Sequence, residues 1–204
     1  MFDHSIQKIV QSPLKLLGRY LLKYILPNQV TLVGFIFGII MCFLIYFQLF
    51  DLALIFLIFN RICDGLDGVM ARLTSPTPSG GYFDIVADFI IYAGFVLSFG
   101  LSDPNKLLIC ALLLFSFIGT GTTFLAKAAI QNQVDQNKHL INQENEINKS
   151  FHYASGLIEG TETILFMILC LIFPFYFNLI GFIFFILCLI TIVSRIFVCY
   201  KELN

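Results

Sequence analysis

Runs of about twenty apolar residues separated by short polar breaks recur along the chain, the pattern of helices that cross a bilayer. The pattern predicts six such helices, at 29–47, 51–72, 82–100, 106–128, 154–174 and 178–199. Most are joined by short turns, with one longer polar connector at Gln131–Ser150. Ahead of them, residues 1–25 interleave Lys8, Lys15, Arg19 and Lys23 with Ile6, Ile9, Val10, Leu14, Leu17, Leu21 and Leu22. That alternation predicts a basic amphipathic helix on a membrane surface, interrupted near Pro13. The expected fold is an all-α integral membrane protein with a single domain over 1–204. Its interfacial helix covers 1–25, and its bundle of six transmembrane helices covers 29–199.

Composition agrees with the pattern. Of the 204 residues 58% are hydrophobic and 12% charged, whereas soluble domains carry about 25% charged residues. The net charge of −1 matters less than its distribution. The four basic residues before residue 25, together with Arg72, Lys127, Lys138, Lys149, Arg195 and Lys201, fall on one side of the expected bundle. Only Lys106 falls on the other, so the positive-inside rule predicts that both termini are cytoplasmic. No small-residue cleavage site follows the N-terminal stretch, so no signal peptide is expected. No nucleic-acid partner is expected. Six cysteines are scattered through apolar runs without paired spacing and read as small apolar fillers.

Acids break this apolar pattern at helical spacing. Asp64 and Asp67 stand at i,i+3, and Asp84 and Asp88 at i,i+4, so each pair projects from one helix face. Gly68 and Ala71 extend the first face and Arg72 closes that segment; the polar run Thr74–Gly81 between the pairs must break a helix. An ionised carboxylate near the bilayer centre costs roughly 2.5–3.5 kcal/mol, and four on converging faces repel one another. A bound cation resolves both problems, and carboxylate oxygens suit hard ions such as Mg²⁺ or Mn²⁺. Two such ions ~3.5–4 Å apart clamp a phosphoryl group for in-line displacement. In the expected topology the four acids lie about 8–12 Å below the cytoplasmic helix ends, at 1.5 Å per residue.

The spacing D-x2-D-G-x2-A-R-x7-G-x3-D-x3-D is filled here by Asp64, Asp67, Gly68, Ala71, Arg72, Gly80, Asp84 and Asp88. It resembles the signature of the CDP-alcohol phosphotransferase family, and nearly the whole chain resembles a bacterial inner-membrane branch of it. The resemblance implies that an acceptor hydroxyl attacks the β-phosphorus of a CDP-alcohol and CMP leaves. It points to CDP-diacylglycerol as the donor and to a phospholipid or its precursor as the product. By the same resemblance Asp64, Asp67, Asp84 and Asp88 hold two divalent cations, and Asp88 is also the general base. The CDP moiety meets Asp64, Gly68, Ala71 and Arg72, with Thr31 at the opening of the first span as a further candidate. Gly68 and Ala71 also suit ordinary close helix packing, and Arg72 also suits a membrane anchor. A homodimer in a bacterial inner membrane follows by analogy.

A second polar stretch is Lys149–Tyr153 with Gly156–Thr163. Lys149, Glu159, Glu162 and Arg195 are candidates for an acceptor pocket; alternatively, the two glutamates form ion pairs with Arg61 or Arg195. Gly119–Thr123 reads as a close-packing face whose hydroxyls bond helix carbonyls. The competing class is a small cation transporter or channel using the intramembrane acids as ion sites. It has no use for a phosphate-binding Arg72 at a helix end, and its acids belong near mid-membrane. A scaffold derived from the family is disfavoured because every acid of the motif is present. No motif identifies the acceptor alcohol.

Overall fold

The computed structural model describes residues 14–141 and 158–203, and every regular element among them is helical. Helix α1 covers 14–21 and α2 Pro27–Tyr46; α3 (Phe50–Leu73) and α4 (Pro78–Ser102) follow. The bundle is completed by α5 (Leu107–Ile141), α6 (Gly160–Ile172) and α7 (Phe177–Leu203). Short 3₁₀ turns at Pro104–Lys106 and Pro174–Tyr176 introduce α5 and α7.

Among the described residues four stretches are long and apolar enough to cross a membrane: Pro27–Tyr46, Pro78–Ser102, Pro104–Ile130 and Pro174–Lys201. The other two expected spans differ. α3 has the length, 24 residues, but carries Asp51, Arg61, Asp64, Asp67 and Arg72. α6 has only 13 residues and starts at Gly160 rather than 154; residues 154–157 lie outside the described residues. Its start is a local device: Glu162 Oε2 accepts from the Glu159 amide at 3.0 Å, satisfying a donor that a helix start leaves open.

Two boundaries also move. The connector expected from Gln131 is helical to Ile141, since no Pro or Gly follows Gly121 in α5. At 1.5 Å per residue this helix is about 52 Å long, well beyond a hydrocarbon core of ~30 Å. α4 begins at Pro78 rather than 82, because Thr77 caps it by accepting from the Gly80 amide at 3.1 Å and proline suits the first helical position. Only 74–77 interrupts the helices.

Two glycines let α2 nest against its neighbours. A Cβ on Gly34 would fall 2.8 Å from Cys63 Cβ of α3, and Gly38 meets Ile91 of α4 just as closely. Buried Asn60 then donates Nδ2 to the Gly34 carbonyl at 2.8 Å, locking α3 onto α2. Away from the acids the core is aromatic: Phe99 stacks on Phe177 at 4.1 Å and Phe166 on Phe184 at 4.2 Å. Gln48 Nε2 donates to the Ser102 carbonyl (3.2 Å) and Asn178 Nδ2 to that of Asn105 (3.3 Å), tying the turns at this end together. The Asn105 amide and the Lys106 ammonium hold Asp103 in the same turn below the usual carboxylate range.

α1 lies against the C-terminal half of α3. Leu14, Leu21, Leu22 and Ile25 pack around Val30, Leu66 and Met70, while Lys15, Arg19 and Lys23 are exposed. Residues 1–13 of the expected interfacial helix lie outside the described residues. All six cysteines are free, and Cys110, Cys170 and Cys188 are buried in the main core as apolar fillers.

Candidate active site

The tight turn at 74–77 folds the late part of α3 back along the early part of α4. This brings Asp64, Asp67, Asp84 and Asp88 to one small cavity, lined also by Thr31, Gly34, Asn60 and Arg61. Each carboxylate lies within electrostatic reach of the other three. Asp67 is buried, and its Oδ2 has no hydrogen-bond partner among the described residues. Thr31 is buried at the start of α2, its hydroxyl donating to the Pro27 carbonyl at 3.2 Å. Gly68 and Arg72 share a face one turn apart: the Arg72 guanidinium folds back so that a Cβ on Gly68 would meet its Nη1 at 3.5 Å. Ala71 is half-buried and Arg72 exposed, and neither these two nor Gly68 lines the cavity itself. The motif residues thus divide into a cavity set and a set nearer the helix end.

Arg61 belongs to the site, although its sequence position suggested pairing with Glu159 or Glu162. Its Nη2 lies 2.7 Å from Asp88 Oδ1 and its Nη1 3.5 Å from Asp64 Oδ2. Nε donates to Asn60 Oδ1 at 2.8 Å and Nη1 to the Tyr92 hydroxyl at 3.3 Å, while Tyr92 donates to Asp88 Oδ2 at 3.2 Å. The available signal was its i,i+3 spacing to Asp64 on one helix. Among the described residues no three His, Cys, Asp or Glu groups are drawn together tightly enough to chelate an ion in this conformation. Arg61 supplies the positive charge instead. The donor set still fits a hard divalent cation: it is all oxygen, it carries excess negative charge, and Asp67 Oδ2 is a buried acceptor without a donor.

A second cavity, of about 540 Å³, lies between α4, α5, α6 and α7. Asp88 and Tyr92 line it from the acid side, opposite Thr120, Thr123, Lys127, Glu159 and Arg195. Asp88 therefore faces both cavities. Arg195 is only 8% exposed. It donates from Nη1 to the Thr120 carbonyl at 3.1 Å and, weakly, from Nη2 to that of Ile158 at 3.5 Å. Its Nε has no partner among the described residues. Of the expected acceptor-pocket residues, Glu159 and Arg195 line this cavity. Glu162 caps α6 instead, and neither glutamate pairs with Arg61 or Arg195, because a helix start claims Glu162 first. Lys149 lies outside the described residues.

The Gly119–Thr123 face packs as expected. Thr122 donates to the Ile118 carbonyl at 2.6 Å and Thr123 to that of Gly119 at 2.9 Å. Gly119 meets Ile192, and Gly121 meets Phe89. Sequence reasoning missed Tyr92 and Lys127 as cavity residues. Tyr92 stands one turn after Asp88, and Lys127 interrupts an apolar run at the charged end; both are readable signals.

A family model for CDP-alcohol phosphatidyltransferase matches residues 24–194, and the chain belongs to that family. It is a membrane transferase of phospholipid biosynthesis, taking a CDP-alcohol donor and an alcohol acceptor. Among particular proteins, it is 41% identical over 181 residues to the inner membrane protein YnjF of Escherichia coli, covering 88% of this chain and 85% of that one. It is 35% identical over 86 residues to an archaetidylinositol phosphate synthase of Pyrococcus horikoshii, covering 41% of this chain and 46% of that one.

Proposed function

We propose that this protein transfers a phosphatidyl group from CDP-diacylglycerol to an alcohol acceptor, with Asp64, Asp67, Asp84 and Asp88 holding two divalent cations, Mg²⁺ or Mn²⁺. The observation that carries the reading is Asp88, which faces the acid cavity on one side and the 540 Å³ cavity on the other. A base for the acceptor hydroxyl must stand where the two substrates meet, and a carboxylate that faces both cavities suits that role. When bound, the ions would neutralise the diphosphate and the charge developing on CMP.

The chain's own residues do the rest. Thr31 and Asp64 meet the nucleotide end, Gly68 and Ala71 leave room for it, and the Arg72 guanidinium forks onto phosphate oxygens. The acceptor oxygen bonds to the β-phosphorus as the bridging oxygen leaves with CMP, and the hydroxyl proton passes to Asp88. Tyr92, donating to Oδ2, fixes the orientation of that carboxylate. The acceptor takes the larger cavity. Arg195, buried and with no partner for its Nε among the described residues, and Lys127 favour an alcohol bearing an anionic group. The archaeal relative is named for an inositol phosphate lipid, an acceptor chemistry of that kind.

We read residues 1–204 as one domain in a bacterial inner membrane, with α3 and α6 as two further crossings, α1 at the membrane surface and both termini cytoplasmic. Support comes from the one-sided gathering of Arg72, Lys127, Arg195 and the four acids, because nucleotide donors are cytosolic. The homodimer rests on family analogy. The test incubates the purified protein with labelled CDP-diacylglycerol, Mg²⁺ or Mn²⁺, and free or phosphorylated alcohols. Metal-dependent CMP release that is greatest with a phosphorylated alcohol is expected. No release with any acceptor would end the reading, and equal release with uncharged alcohols would remove the anionic acceptor.

A further inference from the structure

We infer that Arg61 is a tethered counter-ion for the acid cavity: it holds Asp64 and Asp88 together when no divalent ion is bound, and gives way when one is. The inference rests on the proposed role of those two aspartates as metal ligands.

Arg61 comes from the middle of α3, which the proposed topology sets in the bilayer, where a cation is as costly as the acids it serves. Its guanidinium bridges α3 to α4, with Asp64 at 3.5 Å on its own helix and Asp88 at 2.7 Å on the next. Without it, four carboxylates of one sign, one of them buried and three half-buried, would line one small cavity. α3 and α4 would be pushed apart at the place where the chemistry needs them close. The side chain is 13% exposed and held by Asn60 through Nε. It is built into the fold, in contrast to the exposed side chain of Arg72.

An ion shared by Asp64 and Asp88 needs the carboxylate oxygens that Arg61 now engages, and it carries the same sign of charge. The two cations therefore compete. The guanidinium has a further hold besides the carboxylates, because its carbon lies 5.7 Å from the centre of the Tyr92 ring, whose face attracts cations. Tyr92 also lines the larger cavity. A merely structural arginine would leave metal affinity unchanged when removed, or weaken it by loosening the site. A competing one has the opposite sign.

Full-length wild-type protein, Arg61→Gln and Arg61→Lys are compared in detergent, with Mn²⁺ binding followed by electron paramagnetic resonance and melting followed with and without chelator. Arg61→Gln is expected to bind Mn²⁺ about tenfold or more tightly than wild type. In chelator it melts lower, and Mn²⁺ raises its melting point by more than it raises that of wild type. Arg61→Lys, which keeps the charge but cannot fork onto two carboxylates, falls between them. Should the glutamine variant fail to survive without metal, the lysine variant carries the comparison, and tighter binding than wild type is again required. Equal or weaker Mn²⁺ affinity in the variants overturns the counter-ion role while leaving the metal site standing. No binding by any of the three, wild type included, removes the metal reading and this inference with it.

Discussion

The two ends of the bundle solve opposite problems. At one end, Phe50, Phe99 and Phe177 stack in series, Lys106 sits 5.4 Å over the Phe99 ring, and short turns are hydrogen-bonded to one another. At the other end, four carboxylates, Arg61, Lys127 and Arg195 line cavities, and two buried polar atoms, Asp67 Oδ2 and Arg195 Nε, have no partner among the described residues. The first end has no described group that packing leaves unsatisfied. The second keeps such groups, each at a cost of about 1–3 kcal/mol. Stability gathered in the aromatic end lets the charged end stay open for chemistry, which is the usual relation between a rigid scaffold and a strained site.

If the ends are separable in this way, changes to the groups proposed to meet substrate, Asp88 and Arg195, should alter turnover and spare stability, with the reverse at the aromatic end and at the helix cap Glu162. The largest expected effect is Asp88→Asn, which should lower CMP release by about 10²–10⁴-fold, the range of a lost general base, while CDP still binds in equilibrium dialysis. Retained activity would remove Asp88 from the base role. Phe177→Ala, at a fully buried stacked ring, should cost about 3–5 kcal/mol of stability, read as a lower melting point in detergent with the acceptor KM unchanged. An equal loss of turnover at temperatures where the variant is folded would merge the two ends. Arg195→Gln should raise the KM for a phosphorylated acceptor about 10–100-fold, the worth of a charge-assisted hydrogen bond, with the donor KM unchanged. A smaller effect, about 1 kcal/mol, is expected for Glu162→Ala, which removes a helix cap and should lower the melting point slightly with activity intact.

The charged end was legible in sequence as far as helical spacing reaches. Asp64 and Asp67 share a face of α3, and Asp84 and Asp88 share a face of α4, because 3.6 residues per turn dictates it. Glu159 and Arg195 were likewise marked by charge in apolar runs, and both line the larger cavity. Arg61 was visible as a charge in an apolar run, but the partner it meets was not. A long flexible side chain has several acids within reach, and which one it meets depends on how α3 is rotated against α4. The capping role of Glu162 was hidden for a related reason: it follows from a helix that starts at Gly160, whereas the expected span runs unbroken from 154.

The sequence by itself determined an all-helical membrane protein, the family motif and the faces on which its acids stand, since hydrophobicity and helical period are properties of neighbouring residues. Tertiary structure decided that the two acid faces look at each other across one cavity, that Asp88 opens onto a second, and that Arg61 bridges them. Those outcomes depend on how closely and at what rotation helices meet. Here that is set by contacts between residues far apart in the chain: Gly34 against Cys63, Gly38 against Ile91, and Asn60 on the Gly34 carbonyl.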